Sequence, residues 1–199
     1  MKKFFVVLGA ALFVLSSCAS TGVKRIDAGT QTDLSGYWND ADVRLVCEAL
    51  VKDCLNSQRV DRAVKEKGGI PTVIVGRFRN DSAEQIDTGI ISSIMEKTIF
   101  DSGRLDFVAG GSVREELRAE RQDQQSNASE RTAAALGNET GADFMLTGSV
   151  KSIVDKLDNR TVRTYFVSAE MTNIETSERL WIGQYNEIKK VVVRPKNKL

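Results

Sequence analysis

The side chains here that could carry chemistry are carboxylates, lysines, tyrosines and three cysteines, because the 199 residues contain no histidine. That absence removes Ser-His-Asp and Cys-His nucleophile systems, His-ligated zinc and imidazole general bases. What remains is scattered. Asp81 and Glu84 lie beside one expected loop, Asp155 and Asp158 near another, and Glu170 on an expected strand. Paired carboxylates can hydrolyse glycosides, but no spacing here brings two of them together. Gly110-Gly111 before Ser112 could cradle an anion at a helix start, yet it is neither a dinucleotide fingerprint nor a phosphate loop, and turn and cap glycines account for it. No catalytic residue, metal site or cofactor is expected. With 28 basic and 27 acidic residues the formal charge is +1, too balanced for nucleic acid to be the expected partner.

Cys18 is the exception to this quiet inventory. Lys2 and Lys3 precede an apolar run from Phe4 to Leu15, which ends in Ser16-Ser17-Cys18, the pattern of a secretory signal peptide over residues 1–17. The run is about a dozen residues, shorter than the roughly 20 of a spanning helix, so a permanent transmembrane helix is the weaker reading. Leu15-Ser16-Ser17-Cys18 also resembles a bacterial lipobox, in which two small residues admit a peptidase and the Cys18 thiol receives diacylglycerol. Acyl chains bury at about 0.8 kcal/mol per CH₂, so a multiply acylated Cys18 would hold the chain on a membrane. An ordinary signal peptide with an incidental cysteine is the alternative. Cleavage before Cys18 removes Lys2 and Lys3 and turns the formal charge of +1 into −1. Ala19 rather than Asp follows the cysteine, which by resemblance to enterobacterial lipoproteins implies the outer membrane, facing the periplasm.

Residues 18–36 are rich in Ser, Thr and Gly and read as a short lipidated tether, followed by one domain over residues 37–199. Asn39 or Asp40 can cap a helix at residues 40–56, whose apolar face carries Val43, Val46, Cys47, Leu50, Val51 and Cys54. Cys47 and Cys54 are seven residues apart, about 10.5 Å along a helix and beyond the ~7 Å that a disulfide spans; core thiols are the reading, a redox pair the alternative. Residues 72–78 are β-branched and read as a buried strand, with Arg79-Asn80-Asp81-Ser82 as a loop. From a cap at Asp87 a second helical stripe runs to Phe100, closed by Ser102-Gly103, and residues 105–108 make a second strand. This strand-helix-strand unit is expected to be a right-handed parallel crossover. Ser112 and Glu115 are spaced as a capping box for a helix to Gln122, with an exposed loop at residues 122–128 and another helix at residues 129–138. Residues 143–150 form a third strand. Residues 160–173 and 179–186 then alternate as an antiparallel hairpin turned by Glu175-Thr176-Ser177-Glu178. The expected fold is an α/β (α+β) domain with a mixed sheet of four or five strands packed on about four helices.

Lys189, Lys190, Arg194, Lys196 and Lys198 follow Glu187 with no acidic neighbour. They read either as a frayed, solvated terminus or as a cationic tail that meets anionic lipid, peptidoglycan carboxylates or an acidic partner.

Taken together these residues resemble the LpoB family, outer-membrane lipoproteins that activate bifunctional penicillin-binding proteins, the peptidoglycan synthases. The resemblance rests on the lipobox at Cys18, on Asp33-Leu34-Ser35-Gly36-Tyr37-Trp38-Asn39-Asp40, on Arg79-Asn80, on Gly141-Ala142-Asp143-Phe144-Met145-Leu146-Thr147-Gly148-Ser149, and on the Thr176-to-Trp181 hairpin. The last two patterns are also similar to the broader group of TolB amino-terminal and CsgG-like domains. The resemblance implies a non-enzymatic adaptor that binds a synthase and raises its transglycosylase and transpeptidase output. A CsgG-like envelope assembly or secretion lipoprotein, which would form rings, is the alternative, and a carboxylate enzyme acting on peptidoglycan is a third class. One departure stands out: the only prolines are Pro71 and Pro195, where enterobacterial activators carry long proline-rich tethers. The loop carrying Arg79 and Asn80 is the expected contact surface, since charged and amide groups on a rigid turn can orient a partner; simple turn residues are the alternative.

Overall fold

Asn39 opens the first helix, α1 (Asp40–Leu55), through a full capping box: its side chain accepts from the Asp42 amide, and the Asp42 carboxylate accepts from the Asn39 amide at 2.9 Å. The computed structural model describes residues 24–27, 30, 32–127 and 140–195. A compact unit begins at Thr32, reaching back into the segment read as tether. Among the described residues no helix is long and apolar enough to cross a membrane.

The remaining elements are α2 (Gln58–Lys67), β1 (Thr72–Asn80), α3 (Thr88–Ser102), β2 (Asp106–Phe107), α4 (Gly111–Asn127), β3 (Phe144–Leu157), β4 (Arg160–Asn173), β5 (Arg179–Tyr185) and β6 (Lys189–Val193). The sheet is mixed, ordered β2-β1-β3-β4-β5, with β6 pairing the first half of β4. β1 runs parallel to both β2 and β3, as a strand-helix-strand unit requires, and the β3–β4 and β4–β5 pairs are antiparallel. The expected α+β architecture is present, with β6 as a sixth strand.

Helices α1 and α3 pack on each other and on the sheet, with α2 against β5. The core lies between these layers: Val46, Leu50, Ile91, Met95 and Ile99 from the helices meet Val73, Phe78, Leu146, Tyr165, Val167 and Met171 from the strands. Trp181 donates its indole N–H to Asp53 at 2.8 Å and ties β5 to α1. Arg104, after α3, donates to the Leu55 carbonyl at the end of α1 and to Asp61 of α2.

Several local expectations need correction. Helix α2 adds to the expected elements: Ser57 precedes it, Val60 and Val64 share a face, and Gly68 closes it in a left-handed conformation at φ 73. Helix α4 starts at Gly111, so Ser112 lies inside its first turn rather than before it, and it continues through Asn127, across the stretch read as an exposed loop. That polar stretch stays helical through pairs one turn apart, such as Gln124 to Glu120 at 2.9 Å and Asn127 to Asp123 at 2.7 Å. The helix expected at residues 129–138 lies outside the described residues. β1 runs to Asn80, which places Arg79 and Asn80 on a strand end instead of in a loop. Strand β3 extends past Val150 to Leu157 because its whole length pairs with β4.

Cys47 and Cys54 are buried, free thiols on the core face of α1, as their spacing predicted. Burial, helped by the nearby Glu48 and Asp53 carboxylates respectively, pushes each thiol up to about 12. Neither presents a thiolate near neutrality. Iodoacetamide at pH 8 should therefore leave both unmodified in the native protein and label both in denaturant, and Cys47→Ser should destabilise by about 1 to 3 kcal/mol. Rapid native labelling would show that α1 opens.

Candidate functional site

The amino-terminal Asp33-to-Asp40 stretch is not a loose lead-in. Gly36, at φ +69, passes so close to β6 that an added Cβ would stand 2.2 Å from Val192 Cγ2, so only glycine fits there. Next to it the Lys190 ammonium donates to Asp33 at 2.6 Å, to Asp42 at 2.6 Å and to the Tyr37 carbonyl at 3.0 Å. Lys190 and Asp42 are both nearly buried. The frayed or freely cationic tail expected after Glu187 is thus overturned for Lys189–Val193: β6 pairs with β4 from Thr164 to Arg160, and its alternation turns Lys190 inward onto two carboxylates.

A second buried network continues this clamp. Arg163 Nε sits 3.2 Å from Glu84 Oε1, with both side chains close to nine-tenths buried, and the guanidinium lies 4.0 Å above the Tyr37 ring. The Tyr165 hydroxyl donates to Glu84 at 2.8 Å, and the Trp38 ring packs 5.3 Å from that of Tyr165. Burial and the Glu84 carboxylate both push the Tyr165 phenol upward, so it remains a donor. Glu84, one of the scattered candidate acids, is therefore committed to an Arg163 pair and a tyrosine. Asp81 faces Arg79 at 3.6 Å, so Asp81 and Glu84 pair with different arginines.

Asp143 of the Gly-Ala-Asp motif is a structural clamp as well. Its carboxylate accepts from the Thr72 amide at 2.9 Å and the Thr72 hydroxyl at 3.0 Å, and it pairs with Lys67, so it locks the starts of β1 and β3 side by side. Partial burial pushes its carboxyl upward, but the Lys67 and Thr72 bonds outweigh that and hold it below the usual carboxylate range.

The face of the sheet away from α1 and α3 presents exposed side chains. Val75 pairs with Leu146 and Phe78 with Gly148, so β1 carries one extra residue between them. Without that bulge, strict alternation would send Arg77 and Arg79 to the core side with Val73 and Val75. With it, Phe78 enters the core and both arginines emerge on the open face. The register then lines up Arg79, Ser149, Ser168 and Gln184 across four strands, and Ser149 and Ser168 share a hydrogen bond at 3.1 Å. A shallow groove of about 500 Å³ runs here, bordered by Arg77, Arg79, Lys151 and Arg179.

The two residues expected at the contact surface thus part company. Arg79 is largely exposed on this face. Asn80 is instead spent on its own turn: its amide donates to the Glu84 carbonyl at 2.7 Å, and its oxygen accepts from the Ser82 amide at 3.1 Å and hydroxyl at 2.6 Å. Arg77, Lys151 and Arg179 were not singled out in the sequence, because nothing local says which face of a strand is left uncovered. Among the described residues no group of carboxylates and thiols is placed to hold a metal ion. Cys18 lies outside the described residues.

A family model described as the peptidoglycan-synthase activator LpoB matches residues 42–186. The chain belongs to the LpoB family. Membership assigns it to the peptidoglycan-synthase activators, a family of regulators. The matched span contains β1 to β5, the Asp143 clamp and the open face, whereas the Gly36 and Lys190 contacts lie on either side of it. Among solved structures, the LpoB carboxyl-terminal domain from Escherichia coli is similar at 14% identity, covering 77% of this chain and 99% of that one with a TM-score of 0.45. The solution structure of E. coli LpoB is similar at 13% identity, covering 90% and 85% with a TM-score of 0.42. Lipoprotein GNA1162 from Neisseria meningitidis is similar at 17% identity, covering 64% and 88% with a TM-score of 0.38. No curated protein sequence matches the chain.

Proposed function

We propose that this chain is an outer-membrane lipoprotein, anchored through acylated Cys18 and facing the periplasm, which binds a bifunctional penicillin-binding protein and raises its output without catalysis of its own. The observation that carries this reading is the family match over residues 42–186. Residues 1–17 would be the signal peptide and the segment from Cys18 the tether, while the binding domain, read from the sequence as residues 37–199, reaches back to Thr32 because Asp33 and Gly36 are held against β6. The side of the sheet bearing Arg79 is the proposed contact, with Asn80 holding the neighbouring turn in shape. The absence of histidine and the commitment of Glu84 and Asp143 to structural pairs support a regulator over an enzyme.

The test adds the purified lipoprotein, in detergent, to the organism's own bifunctional synthases and follows lipid II polymerisation and crosslinking. Binding with faster synthesis is expected. Failure to bind or accelerate any of them rejects the activator, release of muropeptides by the protein alone rejects the non-enzymatic role, and ring assembly without synthase binding points to the CsgG-like alternative. Mass spectrometry of the mature amino terminus should find acyl mass on Cys18; an unmodified terminus elsewhere would reject the anchor.

A further inference from the structure

The open sheet face is charged out of proportion to the chain. Its groove is bordered by four cations, Arg77, Arg79, Lys151 and Arg179, and by one carboxylate, Glu170, in a protein whose 28 basic and 27 acidic residues otherwise balance. Two of the four are already paired, but loosely: Arg79 with Asp81 at 3.6 Å and Arg179 with Glu170 at 3.3 Å, all four side chains well exposed. Exposed pairs of this kind are worth about 0 to 1 kcal/mol and give way readily to a better-placed carboxylate. Arg77 and Lys151 join no ion pair among the described residues. The same face also exposes apolar side chains: Met145 at 37%, Ile153 at 61% and Ile182 at 62%. Ile182 stands in register with Glu170 and Thr147, inside the groove.

We infer that this face docks an acidic polypeptide segment of the synthase, one that also carries apolar side chains. The inference rests on the activator reading and names the chemistry of the partner at that surface. Charge complementarity sets the sign: guanidinium groups two residues apart on β1 present forked donors to successive carboxylates, and a positive groove raises the encounter rate with an acidic partner. The exposed isoleucines select a protein over a glycan, since a sugar's hydroxyls gain nothing from Ile182 and Ile153, whereas leucine- or valine-like side chains bury them. Ser168 and Thr147 supply hydroxyls between the charges for backbone or side-chain amides.

The experiment compares the full-length lipoprotein in detergent with Arg77→Glu/Lys151→Glu, which reverses two cations of the groove, and with Lys65→Glu/Lys97→Glu, which makes the same net change on the helices. Thermal unfolding first checks that all three fold alike. Binding to the purified synthase is then measured at rising salt, alongside co-sedimentation with isolated peptidoglycan sacculi. The groove variant is expected to bind the synthase at least tenfold more weakly, with a flatter salt dependence, while the helix variant stays within about twofold of wild type. If the groove variant binds and activates like wild type, the inference falls and the activator role stands. If both variants weaken equally, the attraction belongs to total charge and the face is not the site. If the groove variant loses only sacculus binding, the face recognises peptidoglycan carboxylates instead, and if wild type binds no synthase, both readings fall.

Discussion

Replacing Lys190 by Ala is expected to lower the stability of the domain by about 3 kcal/mol, read as a fall in urea midpoint with little change in slope. The size follows from what is left behind. Lys190 lies against Asp42, whose side chain is 4% exposed, and removing the cation leaves that carboxylate buried with only its helix-cap amide as partner. The same change removes the Lys190 bonds to Asp33 and the Tyr37 carbonyl, which leaves Asp33 with the Asn39 amide and the entering segment with the Gly36 contact on Val192. Asp33→Ala should cost much less, because that carboxylate is 43% exposed. The acid limb gives an independent reading. Lys190, chiefly through its hydrogen bond, holds the Asp33 carboxyl below the usual carboxylate range. The resulting stability is complete above that range and is lost as pH falls through the lowered value, so Lys190→Ala should flatten the acid limb there. A loss under 1 kcal/mol would mean that the pair behaves as a solvated surface bridge.

Gly148→Ala should also destabilise by about 3 kcal/mol, at the upper end of what overpacking costs. A Cβ there would lie 2.2 Å from the Phe78 ring and 2.4 Å from the Ser168 carbonyl oxygen. The ring can shift only by leaving the core it fills, and the carbonyl belongs to the neighbouring strand β4, so β3 and β4 must move apart. Phe78→Leu in the same chain should recover part of the loss by relieving the ring contact, but the clash with β4 remains. The open face should feel this too, because Gly148 precedes Ser149 on β3 and its row, Phe78, Gly148 and Ala169, adjoins the row of Arg79, Ser149 and Ser168. Full stability in Gly148→Ala would show that β1 does not carry its extra residue opposite this position.

The elements that were legible are those written by neighbours in the chain. The apolar stripe from Val43 to Cys54 set α1 and the burial of both thiols, Asn39 and Asp87 set helix starts, and the alternation on either side of Glu175-Thr176-Ser177-Glu178 set the β4–β5 hairpin. Helix α2 is equally local, but with one fully buried residue, Val60, its apolar stripe is thin. β6 misled for a different reason. Lysines beside a terminus look solvated, and the carboxylates that receive Lys190 lie at Asp33 and Asp42, some 150 positions away.

By itself the sequence determined the helix and strand periods and the exclusion of histidine chemistry, and it carries the lipobox-like pattern at Cys18, because composition and spacing of a few residues suffice for each. Only the tertiary structure decided that Glu84 and Asp143 serve as clamps, that Asn80 faces its own turn, and that Arg77 and Arg79 reach the open face. The face a strand residue takes depends on parity, and parity was reversed by one extra residue whose position is fixed by pairing with β3, a strand about 70 residues later in the chain.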